Sequence, residues 1–318
     1  LAYGNVPSLN GANADFVLGQ PAFATSDEYY ERDRNPSPRQ VAIGRGREAV
    51  AHRDRHPVVI LDSIPVNGSA QQSVVLGQPD FQSNSGACSR TRLYYPNATT
   101  ITPNRKVIVA DSSNHRVLIW NSIPTTNGQP ADVVVGQADF AQCAANASSP
   151  SPTNQTLSSP SAVWSDGVRM VVSDYGNHRV LIWNQMPTSN FQPADIVLGQ
   201  VDFSTGAANA GGAPNERGFD SPEHGVTSNG VQLAIADVGN NRVVIWNSFP
   251  TTNFQPADVV LGQRTFTRRL PNDVDQTDAP DLGTSASALN EPGGLLFHQD
   301  KLFVVDTGNN RVLIFRSK

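Results

Sequence analysis

The sequence predicts an all-β fold, a five-bladed β-propeller of four-stranded antiparallel blades. A phrase close to Val-Val-Leu-Gly-Gln-x-x-Phe recurs five times, and its glycines lie 58, 59, 63 and 63 residues apart, a spacing typical of repeat architectures. Between the copies, short runs rich in β-branched residues are bounded by turn sequences, and no segment has the 3.6-residue apolar period of a helix. The five copies span residues 16–23, 74–81, 133–140, 196–203 and 259–266. We therefore expect residues 1–318 to form a single domain of five repeats of about 60 residues.

The third repeat shows the elements that we expect in each blade. Its apolar and β-branched runs predict four strands, at 160–164, 169–173, 180–183 and 194–199. A Ser-Asp-Gly turn at 165–167 joins the first two strands into a hairpin. A polar turn at 174–179, which contains Gly176, joins the second strand to the third. Across the repeats, we expect equivalent positions between the blade sheets for Trp120, Trp183 and Trp246, with Leu61 and Phe315 at the matching place.

The two ends of the chain predict how the ring closes. Residues 3–7 align with residues 120–124, so the chain begins where a third strand ends and supplies a loop and a fourth strand. The last repeat stops at its third strand, 312–315. We expect the segment 14–19 to pair with 312–315, which would complete the last blade and leave no open sheet edge.

Charge and hydropathy restrict the classes of partner. The formal charge of −5 provides no general field for nucleic acid, and no apolar run reaches the roughly 20 residues of a membrane helix. The one candidate basic patch, formed by Arg39, Arg45, Arg47, Arg53 and Arg55, is equally typical of a solvated blade edge. We expect neither nucleic-acid binding nor membrane insertion.

Several features suggest an exported protein. The chain begins at Leu1 without a charged and apolar leader, as a mature product would, and it has little Lys and only two cysteines. Four N-glycosylation sequons begin at Asn67, Asn97, Asn146 and Asn154, although such triplets also arise by chance in a chain rich in Asn, Ser and Thr. We expect a secreted or periplasmic location and leave glycosylation open.

One polar motif recurs at the turn between the second and third strands. It contains Asp, then Asn, then His or Asn, then Arg and Val, and its four copies are 111–117, 174–180, 237–243 and 306–312. These copies resemble the NHL repeat, and the resemblance covers essentially the whole chain. It implies a β-propeller that binds other molecules. NHL propellers commonly have six shorter blades, so the number five comes from this sequence alone.

The Asp and Arg residues of this motif are expected to be structural. Because the motif recurs in every regular blade, charge-assisted hydrogen bonds that satisfy turn amides and lock neighbouring blades explain it better than a ring of ligand-binding groups. The residues are Asp111, Arg116, Asp174, Arg179, Asp237, Arg242, Asp306 and Arg311.

The first blade departs from the motif. Aligned on residues 58–62, it has His52 in place of Asp and Pro57 in place of Arg. His52 and His56 with Asp54 could hold zinc or copper. A turn beside proline does not place two histidines four residues apart on one face, so we expect a degenerate repeat and no metal here.

The NHL-type propellers also include a peptidyl-hydroxyglycine lyase, which holds its metal with channel-facing histidines of the first strands. Counted two residues after each first-strand proline, the matching positions are Gln40, Ala98, Ala162, His224 and Gly294. One histidine cannot form a three-ligand zinc site, so we expect no catalytic zinc unless His52 or Glu223 contributes a ligand. A structural calcium held by channel carbonyls is compatible with a propeller.

Long connectors indicate where the protein binds. From each phrase-ending Phe to the next first-strand Pro the separations are 15, 15, 20, 19 and 26 residues, and loops of this length are usually functional or disordered. They emerge on the same face as the Asp…Arg turns. We expect a secreted module that binds a protein or glycan through this face. The alternative is a metal-assisted lyase or hydrolase that uses Asp220, Glu223, His224 and Asp281 around the channel mouth. RNA binding is the weakest option, because basic and aromatic residues are not interleaved.

The two cysteines predict a disulfide. Cys88 and Cys143 follow their repeat glycines by 11 and 7 residues, so both lie in connectors on the same face of adjacent blades. In an exported protein they would form a bridge, whereas in a reducing compartment they would remain free thiols.

Overall fold

The computed structural model describes residues 13–18, 20, 22–24, 38–52, 56–68, 70–273, 275 and 283–316. These residues form five antiparallel sheets, four with four strands and the last with three. The all-β, five-bladed propeller expected from the repeat is confirmed. None of the helices in these ranges is long and apolar enough to cross a membrane.

The blades follow one another in sequence order. Blade 1 contains β1 (Pro38–Gly44), β2 (Arg47–His52), β3 (Val58–Leu61) and β4 (Val74–Leu76); blade 2 contains β5 (Pro96–Ile101), β6 (Val107–Asp111), β7 (Arg116–Trp120) and β8 (Val133–Val135). Blade 3 contains β9 (Pro160–Ser165), β10 (Met170–Asp174), β11 (Arg179–Trp183) and β12 (Ile196–Leu198); blade 4 contains β13 (Pro222–Ser228), β14 (Leu233–Asp237), β15 (Arg242–Trp246) and β16 (Val259–Leu261). Blade 5 contains β17 (Pro292–His298), β18 (Lys301–Asp306) and β19 (Arg311–Arg316).

The inner strands set a common height for all blades. Each begins with a proline that pairs with the last residue of the second strand, as Pro96 does with Asp111. A single 3₁₀ turn, such as Ser112–Asn114, then leads from the second strand to the third in blades 2 to 5. The inner strands of blades 1 to 5 contact their neighbours in turn and surround a cavity of about 870 Å³.

Apolar side chains fill the interfaces between successive blades. Trp120, Trp183 and Trp246 are almost completely buried at the same register of the third strand, as the repeat predicted. Each indole packs on the preceding blade and donates Nε1–H to a backbone carbonyl, that of Gln192 in the case of Trp183. Burial of these indoles stabilises the packing of neighbouring blades because it removes large apolar surfaces from water.

The next blade covers the outer edge strand of three blades. Asn190 Oδ1 accepts a hydrogen bond from Val134 N, and Phe191 N donates to Val134 O. The same pairing joins Asn127 and Gly128 to Val75, and Asn253 and Phe254 to Val197. The outward backbone groups of these edge residues are therefore satisfied.

Blade 5 lacks a fourth strand within the described residues. Val312 and Ile314 of β19 are each 54% exposed. The expected pairing of 14–19 with 312–315 is absent from the strand pairings of the described part, and Gly19 lies outside it. A Cβ on Gly68 would lie 2.9 Å from Val17 O, and Gly128 similarly approaches the fourth strand of blade 1. Closure by the N-terminal segment thus stays a prediction.

Candidate functional site

The recurring Asp…Arg turn fastens the connector that enters its own blade. In blade 3, Asp174 Oδ1 accepts a hydrogen bond from Ser158 N, and Asp174 Oδ2 accepts from Arg179 Nε at 2.7 Å. Both η nitrogens of Arg179 donate to backbone carbonyls, those of Phe203, Thr153 and Thr156. The turn, the connector and the end of the repeat phrase are thus held by one buried ion pair.

The other regular blades repeat this geometry. The Nε–Oδ2 distances are 2.8 Å for Arg116 and Asp111, 2.7 Å for Arg242 and Asp237, and 2.7 Å for Arg311 and Asp306. Burial raises the pKa of the Asp111 and Asp237 carboxyls, and the adjacent guanidinium groups oppose that shift. All eight motif residues form such ion pairs, and of their side chains only that of Arg311, which is 25% exposed, is not completely buried.

A third member of the motif, which sequence reasoning did not assign, joins blades 2, 3 and 4 to the blade that follows each of them. His115 has a positive φ of 51°, and its Nδ1 accepts a hydrogen bond of 3.0 Å from Ser159 N. His178 accepts one from Ser221 N in the same way. In the last junction Asn241 Oδ1 takes this place and accepts from Glu291 N at 2.8 Å. His and Asn each supply a side-chain acceptor atom, and both tolerate the left-handed conformation. The alternation of His and Asn at this motif position is therefore the sequence signal for this contact.

Blade 1 retains the inter-blade contact although its turn is degenerate. His56 Nδ1 accepts a hydrogen bond from Tyr95 N at 3.2 Å. His52 pairs with Pro38, as the motif Asp does in other blades, and is completely buried. The two histidines thus have separate structural positions.

A disulfide joins Cys88 to Cys143, with Cα atoms 6.2 Å apart. It links the connector that enters blade 2 to the connector that leaves it. Arg116 Nη1 donates to Phe140 O and lies 4.0 Å from Cys88 Sγ, so the bridge lies beside the Asp111–Arg116 ion pair of blade 2. The bridge expected from the connector positions is present.

Glu223 and His224 lie together on the central cavity. Both line it, and Glu223 Oε1 is 2.9 Å from His224 Nε2. His224 has a positive φ of 59°. A register shift between Pro222 and Val226 makes it an additional residue, so Gly225, not His224, lies opposite Ala236, at the place that Ala98 and Ala162 take in blades 2 and 3. Counting from the proline gave the wrong equivalence for His224.

Of the two other predicted channel residues, the structure describes only Asp220, which lies elsewhere. Asp220 Oδ1 is 3.4 Å from His178 Nδ1 and accepts a hydrogen bond from Ser221 Oγ, and Asp220 is absent from the cavity lining. Asp281 lies outside the described residues. Among the residues that the structure describes, no three His, Cys, Asp or Glu side chains are grouped as a metal site requires.

This chain is similar to one family model and to solved structures. Residues 93–120 match the family model of the NHL repeat. No curated protein matches the sequence. Among solved structures, the computationally designed Ika8 protein is similar at 11% identity and a TM-score of 0.45, over 90% of this chain and 60% of that chain. The chain thus spans 60% of the Ika8 length. The computationally designed Ika4 protein has 10% identity and a TM-score of 0.36, over 78% of this chain and 99% of its own. The chain is thus a five-bladed β-propeller in which residues 93–120 match the NHL repeat.

Proposed function

We propose that this propeller is a binding module that presents its loop-rich face to a protein partner. The loop-rich face comprises the four connectors that enter blades 2 to 5, which are residues 82–95, 141–159, 204–221 and 267–291. Residues 274 and 276–282 of the last connector lie outside the described residues. NHL propellers commonly bind proteins, and binding residues are often carried on loops that a rigid scaffold positions.

The observation that supports this proposal best is that long connectors are fixed in place. In blade 3 the connector is held by Asp174 and Arg179, and Asn146 and Asn177 exchange two side-chain hydrogen bonds of 3.0 and 2.8 Å. Gln137 Nε2 donates to two more backbone carbonyls. A surface ordered before binding loses less conformational entropy when a partner arrives.

An aromatic cluster on this face is suited to a protein interface. The rings of His56, Tyr94 and Tyr95 contact one another edge-on or tilted, with centroids 4.6 to 5.0 Å apart. Tyr94 is 40% exposed, and it packs against Gly86, where a Cβ would overlap its ring. Tyrosine is enriched among the residues that dominate binding energy at interfaces.

The same proposal includes an oxidising compartment. The bridge between Cys88 and Cys143 would persist in a secreted or periplasmic protein. The acidic charge gives no support for nucleic acid. A glycan is the alternative occupant of the loop-rich face, and a metal-assisted lyase or hydrolase lacks a grouped ligand set within the described residues.

Site-specific photocrosslinking tests the proposal. A benzophenone amino acid is placed at Gln82 or Gln142 on the loop-rich face, and at Val231, which lies in the hairpin turn on the opposite face, as a matched control. We expect protein adducts of one defined mass from the first two positions, lost on Tyr94→Ala at unchanged thermal stability. Equal adducts from Val231, or glycan retention without any protein adduct, would contradict it.

A further inference from the structure

The bulge in the inner strand of blade 4 holds one residue more than the bulge of any other inner strand. In β5, Pro96 pairs with Asp111 and Ala98 with Ala110, so the bulge holds one additional residue. In β13, Pro222 pairs with Asp237 but the next printed pair is Val226 with Ile235, so the bulge holds two. The inner strands β1, β9 and β17 each contain a single-residue bulge. A departure confined to one of five repeats points to a task that the shared architecture does not require.

The wider bulge aims an acid and a histidine at the cavity. His224 takes the left-handed conformation, which is unfavourable for residues with a side chain, and its ring contacts the carboxylate of Glu223. Gly225 then replaces the side chain that would otherwise face blade 5, where a Cβ would lie 2.3 Å from Gly293 O. The sequence Glu-His-Gly thus fits this bulge as a unit.

Other acceptors lie at the same height as Glu223. Because each inner-strand proline pairs with the same register position, the residues beside Pro96, Pro222 and Pro292 form one level of the ring. At this level Asn97, Glu223 and Glu291 line the cavity. Asn97 is only 7% exposed, and its Oδ1 has no hydrogen-bond partner among the described residues. A buried carbonyl oxygen without a donor is costly unless a ligand supplies one.

The charge at this level favours a cation. The two carboxylates, Glu223 and Glu291, face one guanidinium group, that of Arg39, around the cavity. The walls beyond them are mainly apolar, with Ile101, Trp164 and Leu295 among them. At about 870 Å³ the cavity has the size of a small-molecule site.

We propose that the central cavity binds a small organic cation. Its ammonium group is bound by Glu223, Glu291 and Asn97, and its apolar part packs against the apolar cavity walls that include Ile101, Trp164 and Leu295. His224 is a positioning residue that orients the Glu223 carboxylate. Asn97 and Glu223 lie outside the connectors of the loop-rich face, and Glu291 ends the last of these connectors, so variants of Glu223 test the cavity independently of that face.

Calorimetric titration with three probes of one shape tests the proposal: benzylamine, benzyl alcohol and benzoate. We expect benzylamine, which is an ammonium at pH 7, to bind at least 10-fold more tightly than the alcohol, and benzoate not to bind. Equal affinity for amine and alcohol, preference for benzoate, or no binding of any probe would overturn the proposal.

Three cavity variants and one control variant locate the site. Glu223→Gln should weaken benzylamine binding at least 10-fold. Replacing residues 223–225 by Ser-Ala, the pair that follows Pro160 in blade 3, should have the same effect while restoring the common register. Asp202→Asn, in the repeat phrase of blade 3 and outside the cavity lining, is the matched control and should bind as the unaltered protein does. Glu291→Gln serves as an independent variant if the others melt early. Binding that no cavity variant weakens would overturn the proposal.

Discussion

Blades 3 and 5 contain the same turn motif but differ in how fully it is enclosed. Arg179 in blade 3 is completely buried and makes four hydrogen bonds, whereas Arg311 in blade 5 is 25% exposed and makes three with described residues. Both hold their Asp partner at 2.7 Å. The motif therefore forms its ion pair in both blades, and in blade 3 the fourth strand contributes burial and one more acceptor, the carbonyl of the phrase-ending Phe203.

The largest difference between the two blades is expected at the residue that packs on the preceding blade. Trp183→Ala should lower the free energy of unfolding by about 3 to 5 kcal/mol, because it leaves a large cavity in a fully enclosed interface. Phe315→Ala, at the matching position of the half-exposed β19, should cost roughly half as much. Denaturant unfolding of both variants measures this, and equal losses would show that blade 5 is as enclosed as blade 3.

The next largest difference between blades 3 and 5 is expected when the arginine of the turn motif is replaced. Arg179→Met leaves Asp174 buried without its counter-charge and should cost about 3 kcal/mol. Arg311→Met should cost about 1 to 2 kcal/mol, because that arginine is partly solvated and makes fewer bonds. Thermal melts of the two variants measure the difference in stability. Asp62→Asn, which removes an exposed ion pair with Arg47, is the control. A larger loss from Arg311→Met than from Arg179→Met would mean that the arginine of blade 5 is at least as enclosed as that of blade 3.

Hydrogen exchange tests closure directly. If residues 14–19 complete blade 5, the amides of 16–18 should exchange at least 10-fold more slowly than those of an exposed loop, and close to the rate of Ile196–Leu198. Phe23 O would then accept from Arg311, as Phe203 O does from Arg179. Fast exchange at 16–18 together with protection at Ile196–Leu198 would rule out the pairing.

The smallest expected effect concerns pH. Burial lowers the pKa of His115 below its ordinary 6.5, with the Asp174 carboxylate opposing. A base with a lowered folded-state pKa contributes its stability above the unfolded pKa, and the contribution falls as pH drops below about 6.5. His115→Asn copies the acceptor of Asn241, so it should flatten the pH dependence by less than about 1 kcal/mol. Unfolding curves between pH 7.5 and 5 decide this, with an unchanged slope as the contrary result.

Spacing and turn chemistry were enough to predict the blades, the buried Trp positions and the cysteine bridge, because all three follow from the repeat. The position of His224 was predicted wrongly because an insertion inside a strand does not alter the flanking motifs. A signal was present: Gly167 follows Pro160 by seven residues, whereas Gly230 follows Pro222 by eight. The inter-blade role of His115 needed three-dimensional contacts, since its partner Ser159 is 44 residues away.

The hydrogen bonds from Asn127, Asn190 and Asn253 to the neighbouring blade also limit how the protein can assemble. They occupy the outward N–H groups of Val75, Val134 and Val197, and the following residue occupies each carbonyl. An extended segment of another molecule would have to displace these bonds before adding to those sheets. Recognition by strand addition is therefore disfavoured around three of the five blades, and partners must use side chains and loops instead.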